Sequence, residues 1–415
     1  RWIACRIFPA CLPPRARLAV SAQAARAGRR WELADVVREH AGTLDGLPPG
    51  QRKVLQGIAT CRTATLGGHR RQCESCGHQE ISYNSCRDRH CPKCQGLDEA
   101  RWVEAQKRAL LPVQYFHIVF TVPAELHRLF LTAPAVAYTL LFAAAAKTLE
   151  EVAHRRLGAK IGCTAVLHTW TQLLRYHPHI HCIVPGGGLD PAAARWIPAR
   201  RDFFLPVRVL SQVFRGKLLS LLEKALDREQ IRGGRGEDLR GLLQRAARKK
   251  WVVYSKPPFA GAEQVLAYLG RYAYRIALSN DRLVGLQHGQ VTFRWKDRAH
   301  GNAPRLATLD AEAFLRRFLL HVLPRRFVRI RHYGFLANPV RQEKLPRVRE
   351  LLGPPAGAVE SKAPTEPEGW EALLLRLTGK DVTRCPRCGV GHLLVVEVLP
   401  ALSGPGDPSR RARSP

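Results

Sequence analysis

The sequence predicts an α+β fold: an antiparallel sheet flanked by helices, joined to a small N-terminal zinc-ribbon-like module. Segments of strand length, rich in β-branched and aromatic residues, alternate with helical segments, and neighbouring strands have hairpin-like spacing. Most of the cysteines stand in or near CxxC pairs, which is typical of metal binding in a reducing compartment. A chain of 415 residues is long enough for two or three such units.

Breaks in composition and residue periodicity give the positions of the elements. Strands are predicted at five segments: Tyr115–Val122, Cys163–Leu174, His179–Val184, Lys249–Tyr254 and Gln290–Trp295. Helices are predicted at four segments: Trp31–His40, Leu97–Leu111, about 133–156 and Ala262–Ile276. The most apolar stretch, Ala135–Ala146, is only twelve residues long and ends at Lys147, so we expect a buried helix and no membrane span.

The charge balance favours a polyanionic partner. The chain has 66 Lys+Arg against 34 Asp+Glu, a formal net charge of +32, which is typical of proteins that bind nucleic acid, although a merely basic soluble protein is the alternative. No secretory signal opens the chain, so we expect a cytoplasmic, nucleoid-associated protein. No GxxxxGK[ST] phosphate loop is found, so we expect no use of ATP.

The cysteine pairs predict structural zinc. Cys73 and Cys76 are followed, after fourteen residues, by Cys91 and Cys94, and two such knuckles offer four thiolates to one tetrahedral zinc ion. Further side chains between and around them could replace a ligand or build a second site: Cys61, His69, His78, Cys86 and His90.

A third CxxC pair lies near the C-terminus. Cys385 and Cys388 form half of a zinc ribbon, with His392 as a possible third ligand. No CxxC pair follows them, so a second zinc ion here needs ligands from elsewhere in the chain.

Two histidines with dipeptide spacing predict a divalent cation. His179 and His181 lie on one face if their segment is a strand, since alternate side chains point the same way. We expect a third ligand on the preceding strand and prefer Gln172, with His168 as the alternative. A bound Mg²⁺ or Mn²⁺ could neutralise a phosphodiester for in-line displacement. Structural histidines on a strand are the competing interpretation.

A pair of tyrosines supplies candidate nucleophiles. Tyr268 and Tyr272 are one turn apart on the predicted helix and share a face. A phenol has a pKa near 10, so the cation and Arg271 would have to favour the phenolate. Attack on DNA would leave a 5′-phosphotyrosine and a free 3′-hydroxyl. Core packing is the more common role of such a pair when it stands alone.

The segment Phe327–Tyr333 alternates so that Arg329, Arg331 and Tyr333 share one face. Arginines beside an aromatic ring predict a track for single-stranded DNA, with phosphate contacts and a stacking platform. A solvated basic strand is the alternative.

Five blocks of sequence carry a family resemblance: Tyr83–Gln95, Tyr115–Pro123, His177–His181, Tyr268–Tyr272 and Arg329–Gly334. Together, and in this order over roughly residues 50 to 340, they resemble the rolling-circle insertion-sequence transposases of the IS91 kind. That family belongs to the HUH endonucleases, which implies an HUH-type catalytic sheet, a divalent ion and two nucleophilic tyrosines. It implies a DNA transposase that nicks and rejoins single strands at element ends. A replication initiator or relaxase, and a non-catalytic zinc-finger DNA-binding protein, are the alternatives.

The expected organisation has five parts. Residues 1–50 form an N-terminal helical arm, 51–100 the zinc-binding module that contacts DNA, 101–340 the catalytic domain, 341–384 a linker, and 385–415 the C-terminal knuckle with a disordered tail. The partners are single-stranded DNA at transposon ends and target DNA, without a membrane. The oligomeric state is left open.

Overall fold

A computed structural model of the protein describes the following residues: 30–107, 109–201, 204–233, 236, 238–259, 264–265, 270, 277–297, 300–353, 369–379 and 381–402. Their strands form a five-stranded sheet, two three-stranded sheets and a two-stranded ladder, with helices packed against them. The predicted α+β fold with antiparallel sheets flanked by helices is therefore confirmed. No helix among these residues has the length and apolarity needed to cross a bilayer.

The five-stranded sheet is the centre of the molecule. Its strands are β3 (Tyr115–Thr121), β4 (Gly162–Trp170), β5 (Tyr176–Pro185), β8 (Val253–Phe259) and β12 (Ile330–Gly334). They lie in the order β12-β4-β5-β3-β8, and every neighbouring pair is antiparallel. Four of the five were predicted as strands, although β8 starts later than expected, at Val253, and β12 falls within the segment Phe327–Tyr333, for which only the alternation was predicted.

One face of this sheet is covered by helices. Alternate residues of the central strands point to it, among them Phe116, Ile118 and Phe120 of β3 and Ile180 and Cys182 of β5, all fully buried. Burying each of the larger side chains contributes roughly 1.5–3 kcal/mol. Four helices carry the facing residues: α4 (His127–Thr132), α5 (Pro134–Leu157), α6 (Val207–Asp227) and α7 (Leu239–Ala247).

A second core joins distant parts of the chain. The helices α1 (Leu33–His40) and α2 (Pro49–Thr60) pack on a sheet formed by three strands and on one helix: β9 (Leu283–Gln287), β10 (Gln290–Asp297), β11 (Ala303–Asp310) and the helix Ala311–Leu319. Leu33, Ile58, Phe293 and Phe314 are fully buried together. The predicted arm therefore shares a core with residues assigned to the catalytic domain.

The third sheet brings the two ends of the chain together. The hairpin β1 (Gly68–Cys73) and β2 (Gln79–Tyr83) gains an outer strand, β13 (Leu393–Leu399), which pairs antiparallel with β1. The zinc module and the C-terminal knuckle, which we expected to be separate, thus lie side by side.

The remaining elements are short or lie in the predicted linker. They are α3 (Gln95–Lys107), β6 (Gly187–Leu189), β7 (Trp196–Pro198) and the helices Asn338–Leu352 and Trp370–Thr378. The last two are helices that overlap the predicted linker, 341–384. Leu345 and Val348 of the first are buried against Phe335 and Leu336, which explains why it is helical despite Pro346. The tail from Ser403 lies outside the described residues.

Candidate functional site

Three histidines meet on the sheet face opposite α5 and α6. His168 of β4 is directly across from His179 of β5, and His181 is across from Val166, two residues before His168. Ladder partners and alternate residues point the same way, so all three rings share a face. One ring nitrogen of each lies within 4.8 Å of the others. The sequence prediction of a cation site at His179 and His181 stays a prediction, and the geometry fits it.

The structure supplies His168 in place of Gln172 as the third member. Strand β4 ends at Trp170, and Gln172 lies in the turn beyond it, where its backbone carbonyl accepts a hydrogen bond from Arg282. The ring of His168 is instead 4.3 Å from that of His181 and 5.4 Å from that of His179. Strand β4 was expected to continue past Gln172, but its pairing shifts at His168–Trp170, so the geometry favours the alternative, His168, and the third ligand stays a prediction.

Neighbouring groups orient each ring. The Nδ1 of His179 lies 2.6 Å from the carbonyl oxygen of His177. A carbonyl only accepts, so Nδ1 donates and Nε2 keeps its lone pair for a cation. The indole of Trp170 stacks on His168 with centroids 4.6 Å apart. The rings are thus held before any ligand arrives.

His117 of β3 is a fourth histidine on this face, and the prediction did not include it. Its Nε2 lies 2.7 Å from Nδ1 of His181, and the two rings are nearly parallel. Both side chains are buried. Burial, then the neighbouring His168, lowers the pKa of His181 well below its ordinary value. His181 is therefore neutral near pH 7, which is the form that binds metals. His117 lies on a predicted strand, Tyr115–Val122, but its place beside His181 depends on the pairing of β3 with β5, which was not predicted.

The predicted nucleophiles Tyr268 and Tyr272, with Arg271, lie outside the described residues. Three residues of their segment are described, Gln264, Val265 and Gly270, and all are helical.

Val265 and Gly270 are the described positions nearest to Tyr268 on either side. Val265 is fully buried against Tyr115, Val166 and Ile183. Ile183 and Val166 share the face of His181 by strand parity and pairing. A Cβ on Gly270 would come within 2.7 Å of Val103 on α3, so the backbone packs closely there. The described positions before and after Tyr268 therefore belong to the histidine side of the sheet.

The residues of the predicted DNA track are partly packed against the core. Tyr333 packs against the core beneath α5, and burial raises its pKa to about 12. The guanidinium of Arg331 lies 4.5 Å from the ring centroid of Phe142, and Arg329 is buried. The alternation was correct, but this face points away from the histidines, since His332 is the residue of β12 paired with Thr164 on the histidine side. The DNA track stays a prediction, on the side of the sheet opposite the histidines.

Eight of the ten described cysteines form two clusters, and the predicted zinc ligands are divided between them. Their members are Cys61, Cys86, Cys91 and Cys94 in the first, and Cys73, Cys76, Cys385 and Cys388 in the second. Within each, the sulfur atoms lie within 4.8 Å of one another. Four thiolates suit tetrahedral zinc. The expected single set, Cys73, Cys76, Cys91 and Cys94, is corrected because strand β2 carries the chain away from the first knuckle before the second.

The predicted alternative histidine ligands have other roles. The Nδ1 of His90 hydrogen-bonds Asp88 at 2.8 Å, and its Nε2 accepts the backbone N–H of Leu323 at 3.1 Å. His90 thereby ties the first cysteine cluster to the segment before β12. The backbone N–H of His392 donates to Glu74, and its ring lies beside Thr383. His69, His78, His90 and His392 are not members of either cluster among the described residues.

Comparisons with known proteins identify the family. Residues 162–344 match a family described as "Putative transposase", and residues 33–122 match one described as "Transposase zinc-binding domain". The chain is 47% identical over 393 residues to "Putative transposase y4qJ" of Sinorhizobium fredii, which covers 90% of this chain and 97% of that protein. It is 28% identical over 360 residues to the "Transposase for insertion sequence element IS801" of Pseudomonas savastanoi pv. phaseolicola, covering 83% of each. The chain belongs to the IS91 family of transposases.

Among solved structures, the conjugative relaxase TrwC in complex with mutant OriT DNA is similar to 37% of this chain and 71% of its own. The identity is 16% and the TM-score is 0.21, a similarity too slight to inform function. His168, His179 and His181 all fall within the matched residues 162–344. His117, which supports them, falls within the matched residues 33–122.

Proposed function

We propose that this transposase nicks and rejoins single-stranded DNA at element ends through 5′-phosphotyrosine intermediates, in metal-dependent rolling-circle transposition. The observation that carries the proposal is the cluster of His168, His179 and His181 on the side of the sheet against which Val265 packs. Val265 stands three residues before Tyr268 in the sequence.

The residues present fit a divalent cation. Three imidazoles on one side leave further coordination positions for oxygen atoms of a scissile phosphate. A bound Mg²⁺ or Mn²⁺ would neutralise charge on that phosphate and orient it. His117 and the carbonyl of His177 orient two of the rings through hydrogen bonds to their Nδ1 atoms.

The tyrosines provide the covalent step. The phenolate oxygen of Tyr268 or Tyr272 attacks phosphorus, a tyrosyl P–O bond forms, and the bond to the 3′ oxygen breaks. The 3′ oxygen takes up a proton and becomes a hydroxyl. One ester replaces another, so the reverse attack by a 3′-hydroxyl rejoins DNA without ATP. Two tyrosines allow one DNA end to be held while a second is cut.

The protein surface around the site suits a polyanion. The net charge of +32 favours DNA, and Lys256 of β8 is paired with His117, so it belongs to the histidine face. Strand exchange requires an exposed single strand, so the substrate at this face is unpaired DNA. A protein acting on such DNA works in the cytoplasm at the nucleoid.

The test measures covalent attachment. End-labelled single strands from the element ends are incubated with protein and Mn²⁺, and protein-linked label is separated by denaturing electrophoresis. We expect metal-dependent adduct that is lost when Tyr268→Phe and Tyr272→Phe are combined. Tyr83→Phe is the matched control, because Tyr83 lies on β2 of the distant three-stranded sheet. DNA binding without any adduct would instead support a non-catalytic zinc-finger protein and sink the proposal.

A further inference from the structure

We propose that Cys73, Cys76, Cys385 and Cys388 bind one zinc ion that locks the C-terminal segment, residues 381–402, onto the N-terminal zinc module. We call these four cysteines the zinc clasp. Neither matched family region includes Cys385 or Cys388, since the two regions end at residues 122 and 344.

The sulfur geometry fits zinc. The Sγ atoms of Cys73 and Cys388 are 3.7 Å apart, and so are those of Cys76 and Cys385. Four sulfurs about 2.3 Å from a tetrahedral zinc ion lie roughly 3.8 Å from each other. A disulfide would need a separation of about 2.05 Å. The thiols therefore stand at the spacing of a shared metal ion.

The two halves of the clasp are built alike. In each, CxxC is followed by a glycine with positive φ: Gly77 at 69° and Gly389 at 66°. The backbone N–H of Gly77 donates to the carbonyl of Cys73, as that of Gly389 does to Cys385. This turn presents both sulfurs of a pair to one side, and only glycine adopts its last position without strain. Two such knuckles facing each other make a complete tetrahedral site.

Backbone pairing holds the halves in register. Strand β1 is paired with β13 from Gly68 opposite Leu399 to Cys73 opposite Leu393. The N–H of Glu74 donates to the carbonyl of His392, and the N–H of His392 donates to the Glu74 carboxylate. A Cβ on Gly391 would come within 2.7 Å of the Cys73 sulfur, so the knuckles are in close contact.

The zinc clasp joins cysteines that are far apart in the sequence. Cys76 and Cys385 are 309 residues apart, whereas the first cluster takes all its ligands from residues 61–94. Closing so long a loop has an entropy cost that strong metal–thiolate bonds can offset. The N-terminal module is thus complete only after the C-terminal segment has docked.

Zinc content tests the proposal directly. Full-length protein should release two equivalents of zinc on denaturation, measured with a colorimetric chelator. Cys385→Ser combined with Cys388→Ser should leave one equivalent, and Cys61→Ser combined with Cys94→Ser should also leave one. Retention of one equivalent excludes simple misfolding. Arg387→Ser, within the same knuckle but without a thiol, should keep two. A single site at Cys73, Cys76, Cys91 and Cys94 predicts one equivalent in the parent and no effect at Cys385.

The locking role has a separate measurement. A protease site inserted after Glu360 allows the chain to be cut, and gel filtration then shows whether the C-terminal piece stays bound. We expect it to remain with the body in the parent protein and in Arg387→Ser, and to separate after Cys385→Ser with Cys388→Ser. A piece that stays bound in that double variant, or a parent with only one zinc ion, overturns the proposal.

Discussion

At the scale of single residues, the candidate site depends on which nitrogen of each ring is available. The carbonyl of His177 fixes Nε2 of His179 as the free acceptor, and His117 occupies Nδ1 of His181. The pair His179 and His181 could be predicted because strand parity is a local rule. The third ring could not, because the choice between Gln172 and His168 depends on where β4 ends and on a bulge in its pairing with β5.

Replacing His168 should abolish most of the metal-dependent cleavage. We expect His168→Ala to lower the rate of adduct formation by about 100-fold or more, since a lost ligand costs at least as much as the 10–100-fold typical of its hydrogen-bonding partners. Gln172→Ala should stay near the parental rate. The measurement is single-turnover adduct formation at fixed Mn²⁺. Equal losses in both variants would restore Gln172 as a candidate ligand.

Replacing His117 should weaken metal binding more than it slows the reaction. His117→Phe keeps a flat ring on β3 but removes the hydrogen bond to His181. We expect the Mn²⁺ concentration for half-maximal activity to rise about 10–100-fold, with recovery at saturating metal. His288→Phe, an exposed site on the turn after β9, is the control. A fall in maximal rate with unchanged metal dependence contradicts a positioning role.

At the scale of elements, the predictions succeeded where a segment's own pattern decides its structure. The central strands and α5 follow from alternation and from a long alanine-rich run. The face that β12 presents does not, because both of its faces carry polar residues. Only pairing with β4 sends Arg331 and Tyr333 towards Phe142 and Phe327. Helix Asn338–Leu352 was missed because its proline and charged residues are typical of a linker.

Arg331 should act on stability more than on DNA binding. Its guanidinium lies over the rings of Phe142 and Phe327 and donates to Thr139. We expect Arg331→Ala to reduce the free energy of unfolding by about 1–2 kcal/mol. Urea denaturation measures this, with Arg325→Ala, an exposed site nearby, as control.

The salt dependence of DNA binding separates the two roles of Arg331. A residue that contacts phosphate contributes roughly one unit to the slope of log affinity against log salt. We expect the slope of Arg331→Ala to equal that of the parent. A flatter salt-dependence slope, with an unchanged free energy of unfolding, would show that Arg331 contacts a DNA phosphate.

At the scale of the whole molecule, the contacts that decide the architecture join residues far apart in sequence. The helices α1 and α2 pack with residues 283–319, and β13 pairs with β1. Each CxxC pair could be found from the sequence, but which pairs share an ion depends on docking that periodicity does not encode. The division of the cysteines into two clusters could therefore be seen only in the three-dimensional structure.

Acid should destabilise the whole protein through its buried histidines. Burial lowers the pKa of His321 to about 4, and it does the same for His127 and His332. A folded-state pKa below the unfolded value of about 6.5 means that the unfolded chain binds more protons between those limits. Stability is present above pH 6.5 and is lost as the pH falls towards 4. For His321, which is fully buried, the loss is on the order of 3 kcal/mol.

Urea titrations between pH 7 and 5 measure this dependence. We expect His321→Gln to be less stable at pH 7 but to lose less stability on acidification than the parent. His300→Gln, on an exposed side chain, should follow the parental slope. An unchanged slope in His321→Gln would show that this imidazole is protonated in the folded protein.

The pairing of β13 with β1 has a consequence for synthesis. A ribosome releases residues 68–73 long before residues 393–399, so the outer strand of this sheet is absent while most of the polypeptide emerges. A nonsense codon between residues 335 and 392 would leave the histidine-bearing strands intact yet remove the strand that pairs with the first hairpin. Truncated copies of the gene would therefore yield proteins that keep the three-histidine cluster but lack the outer strand of the N-terminal zinc module.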